Sequence, residues 1–295
     1  MHVCADAAAV CVDTFFGLPQ AAISSADSAA RQTSPIRARV GKAHNLHGSA
    51  SQARHSCAPL SWLASLLVPR DPQRPFVLPD GAVEVILARH GSVDHRPSDR
   101  LVEADGMIGA QRDPDLSELG RRQAIALAQR LRVLAPRALF VTPLARTQQT
   151  AAPLADELRL EPLVEPGLRE VYLGDWEGLF GRHPDQGPMV RRMREVGRWD
   201  VIPNAEPMEQ LSQRVSDALE RVADAGAGAP SGTVVAVVHG GIVAEACRQV
   251  TGSRPFAFLH AENASITRLV RLERGRWELH GFNDVAHLVD VAVPG

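Results

Sequence analysis

Two short apolar runs, Val83 to Ala88 and Thr233 to Val238, constrain the fold more than any other feature of this 295-residue chain. Both are almost continuously apolar, rich in β-branched residues and bounded by glycine, the pattern of a strand buried on both faces. Ala138 to Val141 is a third run of this kind. Between the first and third, Ala124, Leu127, Ala128, Leu131 and Leu134 fall at helical spacing; Met208, Leu211, Val215, Leu219 and Val222 do the same before the second. The order β, α, β, α, loop-rich insert, α, β, α, β, β predicts an α/β protein. Its architecture is a three-layer α/β/α sandwich with a mainly parallel sheet and a small helical cap over residues 179–203. In such sheets ligands collect beyond the carboxyl ends of the strands.

Composition agrees with a folded chain, with 45% hydrophobic and 22% charged residues. The 32 basic and 34 acidic residues leave a net charge of -2, too balanced for a sequence-independent grip on nucleic acid or anionic lipid. Every basic residue except Lys42 is an arginine, which reads as a genome compositional bias. No apolar run reaches the ~18 to 20 residues of a membrane span. The opening residues, carrying Asp6 and Asp13 without a basic flank, lack the profile of a cleaved secretory signal, so cytoplasmic residence is expected. Cys4, Cys11, Cys57 and Cys247 form no disulfide framework or metal knuckle.

Residues 1–80 are rich in Ala, Ser, His and Pro, show no sustained period and end in the breaker-laden stretch Pro69 to Pro79. They are expected to form a disordered extension to a domain over residues 81–295. An alternative is a natural product that begins at a non-AUG codon near Val77 to Val83, since no methionine lies between Met1 and Met107. His44, His47, His55 and Cys57 match no closed tetrahedral zinc spacing.

Chemistry gathers at the strand ends. The first strand runs into Arg89-His90-Gly91 and the strand Thr233 to Val238 into His239-Gly240-Gly241. Phe140 to Thr147 reads as a strand followed by a helix with Pro143 near its first position, which delivers Arg146 to the same edge. Two arginines and two histidines converging there, with glycines that let backbone approach, describe a pocket for a tetrahedral dianion, phosphate first among them. Leu168 to Gly178 adds carboxylates in a loop-like context and offers a proton donor.

These residues resemble the histidine phosphatase superfamily, in its phosphoglycerate-mutase-like branch, over Val83 to about Val293. The resemblance rests on RHG at Arg89 to Gly91, Leu116 to Ala124, Thr142 to Ala151, the Glu170 segment, HGG at His239 to Gly241, Asn263 to Thr267 and Phe282 to Leu288. It implies that His90 is the nucleophile that becomes phosphohistidine, that Arg89, Arg146 and His239 bind the phosphoryl oxygens, and that Glu170 is the general acid. Gly91, Arg96 and Gly240 are candidate substrate contacts. Elementary chemistry is consistent with those roles: an imidazole attacks only when neutral, and nearby guanidinium groups disfavour its protonated form. Glu170 must start protonated, so its pKa is expected to be raised by burial against Trp176 or by the bound dianion. No metal or other cofactor is required.

The sequence also departs from the family. Ser92, Val93 and Arg96 stand where relatives often carry an acidic or amide residue, Thr or Ser, and an asparagine. Arg96 takes over the asparagine's phosphate contact, recognises a second acidic group, or is a solvated loop arginine. Asn204-Ala205-Glu206-Pro207 stands where Gly-Glu-Ser is common, and Pro207 suits the first position of a helix. The expected activity is phosphomonoester hydrolysis of a small phosphorylated metabolite. The alternatives are a cofactor-dependent phosphoglycerate mutase and a catalytically silent phosphate-binding module. The short interval between Glu170 and His239, and Gly241 where mutases commonly carry Asn, favour the hydrolase; the presence of His90 and Glu170 disfavours the silent module. A dehydrogenase is excluded because no G-x-G-x-x-G follows the first strand. Arg191, Arg192, Arg194 and Arg198 in the cap are expected to frame the leaving group, with Met189 and Met193 in the core. The expected partner is the small-molecule substrate, with a homodimer left open.

Overall fold

A computed structural model describes residues 76–94, 101–102, 111–177, 186–228 and 232–291. The extension expected over residues 1–80 falls outside the described residues up to residue 75, and Arg96 is outside them as well. Residues 76–80 belong to the domain: the Phe76 ring meets His280 edge-on at 4.2 Å, and Ala82 N donates to Pro79 O at 3.0 Å. Among the described residues no helix is long and apolar enough to cross a membrane.

The central sheet contains β1 (Val83–Arg89), β4 (Ala138–Val141), β5 (Leu163–Val164), β6 (Thr233–Val238), β7 (Ile266–Glu273) and β8 (Arg276–Asp284) in the order β5-β4-β6-β1-β7-β8. The first four run parallel, while β7 is antiparallel to β1 and β8 to β7, so the sheet is mixed. β2 (Leu101–Val102) and β3 (Gln111–Arg112) form a separate antiparallel pair. Neither this pair nor the exposed edge strand β5 is legible in the sequence, because two residues are too few to show a period.

Helices cover both faces. α1 (Glu118–Leu131) and α2 (Ala145–Leu158) bury Leu127, Ala128, Leu131, Ala151 and Leu154 against Ile86, Ala88, Val235 and Val237. On the other face α4 (Met208–Asp224) and α5 (Gly240–Thr251) bury Leu211, Val215, Val222, Ile242 and Ala246 against Val83, Val85, Leu87, Val234 and Ala236. Alternate residues of β1 and β6 thus serve opposite cores, which explains their continuous apolarity. The expected helix faces are buried, except that Leu134 falls in a 3-10 turn beyond α1 and is exposed.

Two helix starts differ by a residue or two from the expectation. α2 begins at Ala145, and Leu144, extended at ψ 130, accepts the first bonds from Thr147 N and Gln148 N, so Pro143 lies before the cap. Pro207 caps α4 at ψ 136 and accepts from Gln210 N and Leu211 N, so it sits one position before the first helical residue. The cap contains α3 (Gln186–Val196), whose Met193 is buried while Met189 packs on the core.

Candidate active site

Parallel pairing brings the two histidines level. Arg89 of β1 lies in register with Val238 of β6, and His90 N donates to Val238 O at 2.9 Å. The rings of His90 and His239 consequently stand with centroids 5.2 Å apart, and β4 on the far side of β6 delivers Thr142 beside His239. Asn263 and Ala264, in the turn before β7, hold this edge from behind: Asn263 Nδ2 and Ala264 N both donate to His90 O, at 3.0 and 3.2 Å. A Cβ on Gly91 would sit 2.7 Å from Gly120 O, and Gly91 N donates to Thr150 Oγ1 at 3.0 Å. Gly91 therefore lets α1 approach the strand end, while Gly240 lies against the Arg89 guanidinium.

The tautomer of His90 follows from its partner. Nδ1 lies 2.8 Å from Gly91 O, and a carbonyl only accepts, so Nδ1 carries the proton and Nε2 carries the lone pair. Burial first, then the positive charges of Arg146 and Arg89, hold the His90 pKa well below the ordinary histidine value. His239 is fully buried and is shifted the same way, by burial and then by Arg146. Its Nε2 meets Thr142 Oγ1 at 3.0 Å, and its Nδ1 is buried without a hydrogen-bond partner. Arg89 Nε is likewise buried and unpartnered, while Nη1 donates to Ala261 O at 2.6 Å. Two donor-capable nitrogens without partners beside the positive charge of Arg146 suit an anionic ligand.

Neutral histidines make a pH prediction. Their folded pKa values lie below the unfolded value of about 6.5, so above that pH neither state takes up a proton and there is no effect. As pH falls through that value the unfolded chain protonates while the folded imidazoles do not, and stability is lost. The melting temperature is expected to drop between pH 7 and 5.5, above the carboxylate range, and the drop should be shallower in a His90→Gln/His239→Gln variant. An equal slope in both proteins would remove these histidines as its source.

Arg146 lies in the first turn of α2, buried, with Nη1 on Arg112 O at 3.1 Å and Asp113 Oδ1 at 3.5 Å. Asp113 Oδ2 accepts from Ala145 N at 2.9 Å, so one carboxylate caps the helix and aims its arginine. Gln111 Nε2 donates to Glu170 O and Val171 O at 2.9 and 3.0 Å. Arg214 of α4 donates Nη1 to Gly167 O and Arg169 O, both at 2.7 Å, and pairs through both Nε and Nη2 with the buried Glu206. The segment bearing Glu170 is therefore clamped from two sides. Gln111, Asp113 and Arg214 are marked by no pattern of their own in the sequence, whereas Thr142, Thr150, Glu206, Asn263 and Ala264 lie within segments compared with the family.

Glu170 is half-buried, and its carboxylate accepts from Val171 N at 3.0 Å and Gly241 N at 3.4 Å. Trp176 is fully buried in the core shared by α4 and α5. Glu177 accepts from Arg112 N at 3.1 Å, and burial pushes its carboxyl pKa up. The cap arginines divide: Arg198 is taken by Asp200 and Glu209, whereas Arg191, Arg192 and Arg194 are exposed on α3.

The profile of the histidine phosphatase superfamily (branch 1) matches residues 85–285. The chain belongs to this family. This histidine phosphatase is 29% identical to the metal-independent phosphoserine phosphatase of Arabidopsis thaliana, over 70% of the chain and 84% of that relative. It is also 29% identical to a probable phosphoglycerate mutase, GpmB, of Yersinia enterocolitica, over 70% and 95% of the two chains. The structure of a mycobacterial glucosyl-3-phosphoglycerate phosphatase with inorganic phosphate superposes with a TM-score of 0.54 at 29% identity, covering 70% of this chain and 99% of that one. Relatives of both names share the fold, so the choice between hydrolysis and transfer turns on the site.

Proposed function

We propose that this histidine phosphatase hydrolyses small phosphomonoesters through a phosphohistidine on Nε2 of His90. The observation that carries the reading is the setting of His90: its Nδ1 meets Gly91 O at 2.8 Å, which leaves the lone pair on Nε2, and burial together with the charges of Arg146 and Arg89 disfavours the imidazolium. The phosphoryl oxygens are taken by Arg89, Arg146 and His239, which stabilise charge through the loose transition state of phosphoryl transfer. The Nε2 lone pair attacks phosphorus as the ester P–O bond breaks, and the departing oxygen takes the proton of Glu170. The resulting carboxylate removes a proton from water, whose oxygen attacks phosphorus. The P–N bond breaks, and neutral His90, protonated Glu170 and inorganic phosphate result.

Hydrolysis is favoured over phosphoryl return by the small cover. Among the described residues two α-helices lie between Glu170 and β6; α4 is part of the core, which leaves the 11-residue α3, anchored by Met193, as the helix available for a cover. A panel of phosphorylated sugars, nucleotides, glycerates and phosphoserine, followed by phosphate release and phosphorus NMR, tests this. Free phosphate should accumulate in step with substrate loss. Movement of the phosphoryl group between hydroxyls of one substrate, without net phosphate release, would establish the mutase reading instead.

A further inference from the structure

The Glu170 carboxylate rests on the first turn of α5, where Gly241 is the second helical residue after the cap His239. A Cβ built on Gly241 would stand 2.5 Å from Glu170 Oε1 and 2.8 Å from Val171 Cγ2. The backbone at Gly241 is helical, and helix propensity there favours alanine over glycine. The missing side chain is therefore explained by what lies above it. At Gly91 and Gly120 the atoms in the way belong to backbone, Gly120 O and Ser92 O, so a side chain at either would force the main chain apart. At Gly241 the nearest atom is the rotatable end of Glu170, held by two backbone N–H bonds of 3.0 and 3.4 Å.

We propose that Gly241 is the positioning residue of the proton donor: the bare helix turn is the seat that sets where the Glu170 carboxyl group stands relative to the leaving oxygen. The inference rests on the reading of Glu170 as general acid. A methyl group at position 241 meets the carboxyl most closely and the buried Val171 next, and of the two the rotatable carboxyl end gives way more readily; a displaced acid no longer lies within hydrogen-bond reach of the departing oxygen. Esters with basic alkyl leaving groups need that proton. Activated aryl phosphates do not, so Gly241 acts on substrate range through Glu170.

The test compares Gly241→Ala, Glu170→Gln and the double variant on an alkyl phosphomonoester and on p-nitrophenyl phosphate. Gly241→Ala should lower kcat on the alkyl ester by roughly 30-fold or more and on the aryl ester by less than about threefold, with KM for both little changed. In the Glu170→Gln background the same substitution should cost nothing further, because the group it displaces has already lost its proton. The melting temperature should stay within about 3 °C of the parent. Equal losses on both substrates, a loss that persists undiminished in the double variant, or a large fall in melting temperature would each show that the backbone yields instead of the acid, and would overturn the inference alone. Glu170→Gln that slows both esters alike would overturn the acid assignment itself, and the seat with it.

Discussion

Replacement of His90 by alanine is expected to remove turnover of every phosphomonoester, by roughly 10⁴-fold or more, since the covalent intermediate forms on its Nε2. The threonines at this edge are engaged elsewhere: Thr142 with His239, Thr147 with Leu144 O and Thr150 with Gly91 N. Cys247, the described cysteine, is buried in α5 with its thiol pushed up to about 12, which leaves it protonated and unreactive. Rapid quench of the parent with labelled substrate should give acid-labile, base-stable label on His90, the signature of a P–N bond. Label on an oxygen ester, or turnover retained in His90→Ala, rejects the proposed nucleophile.

The second large effect separates the acid from the phosphate clamp. Glu170→Gln is expected to slow alkyl esters by roughly 10²-fold or more and activated aryl esters far less, whereas Arg146→Ala should slow both by roughly 10²- to 10³-fold. The leaving oxygen gains charge in proportion to its basicity, but the phosphoryl oxygens need the guanidinium for any leaving group. Removal of Arg146 also takes the guanidinium away from the buried Asp113, so Arg146→Lys, which keeps the charge and loses the fork, is the companion variant. With phosphoryl transfer shown to be rate-limiting, equal damage to both ester classes in Glu170→Gln would move the acid role elsewhere. Glu177 is then the replacement to test, since it is half-buried and its carboxyl pKa is pushed up, while Asp175 holds Asn204 Nδ2 at an exposed position.

Much of this arrangement is legible in the order of residues along the chain. Strands of the type Val83 to Ala88 and Thr233 to Val238 are buried on both faces by necessity, and residues that end two neighbouring parallel strands must share one edge of the sheet. Arg89, His90 and His239 are placed by that reasoning alone, and Arg146 follows from the next strand and the helix after it. The antiparallel β7 and β8 alter the outer sheet without disturbing this edge, because β7 joins on the far side of β1 from β6.

The supporting residues could not be read in this way. Gln111 and Glu170 are 59 positions apart, Gly241 and Glu170 are 71 apart, and Thr142 and His239 are 97 apart. No helical or strand period links positions at such separations, so their partnerships exist only once the chain has closed on itself. Periodicity and strand ends are local properties, so the layered α/β architecture and the edge at which its chemistry collects can be read from residue order. Tertiary structure alone decided the rest: which tautomer His90 adopts, which carboxylate aims Arg146, and why the position beneath Glu170 has no side chain. Each of these depends on the distance between atoms brought together from different elements, which the spacing of residues along the chain does not encode.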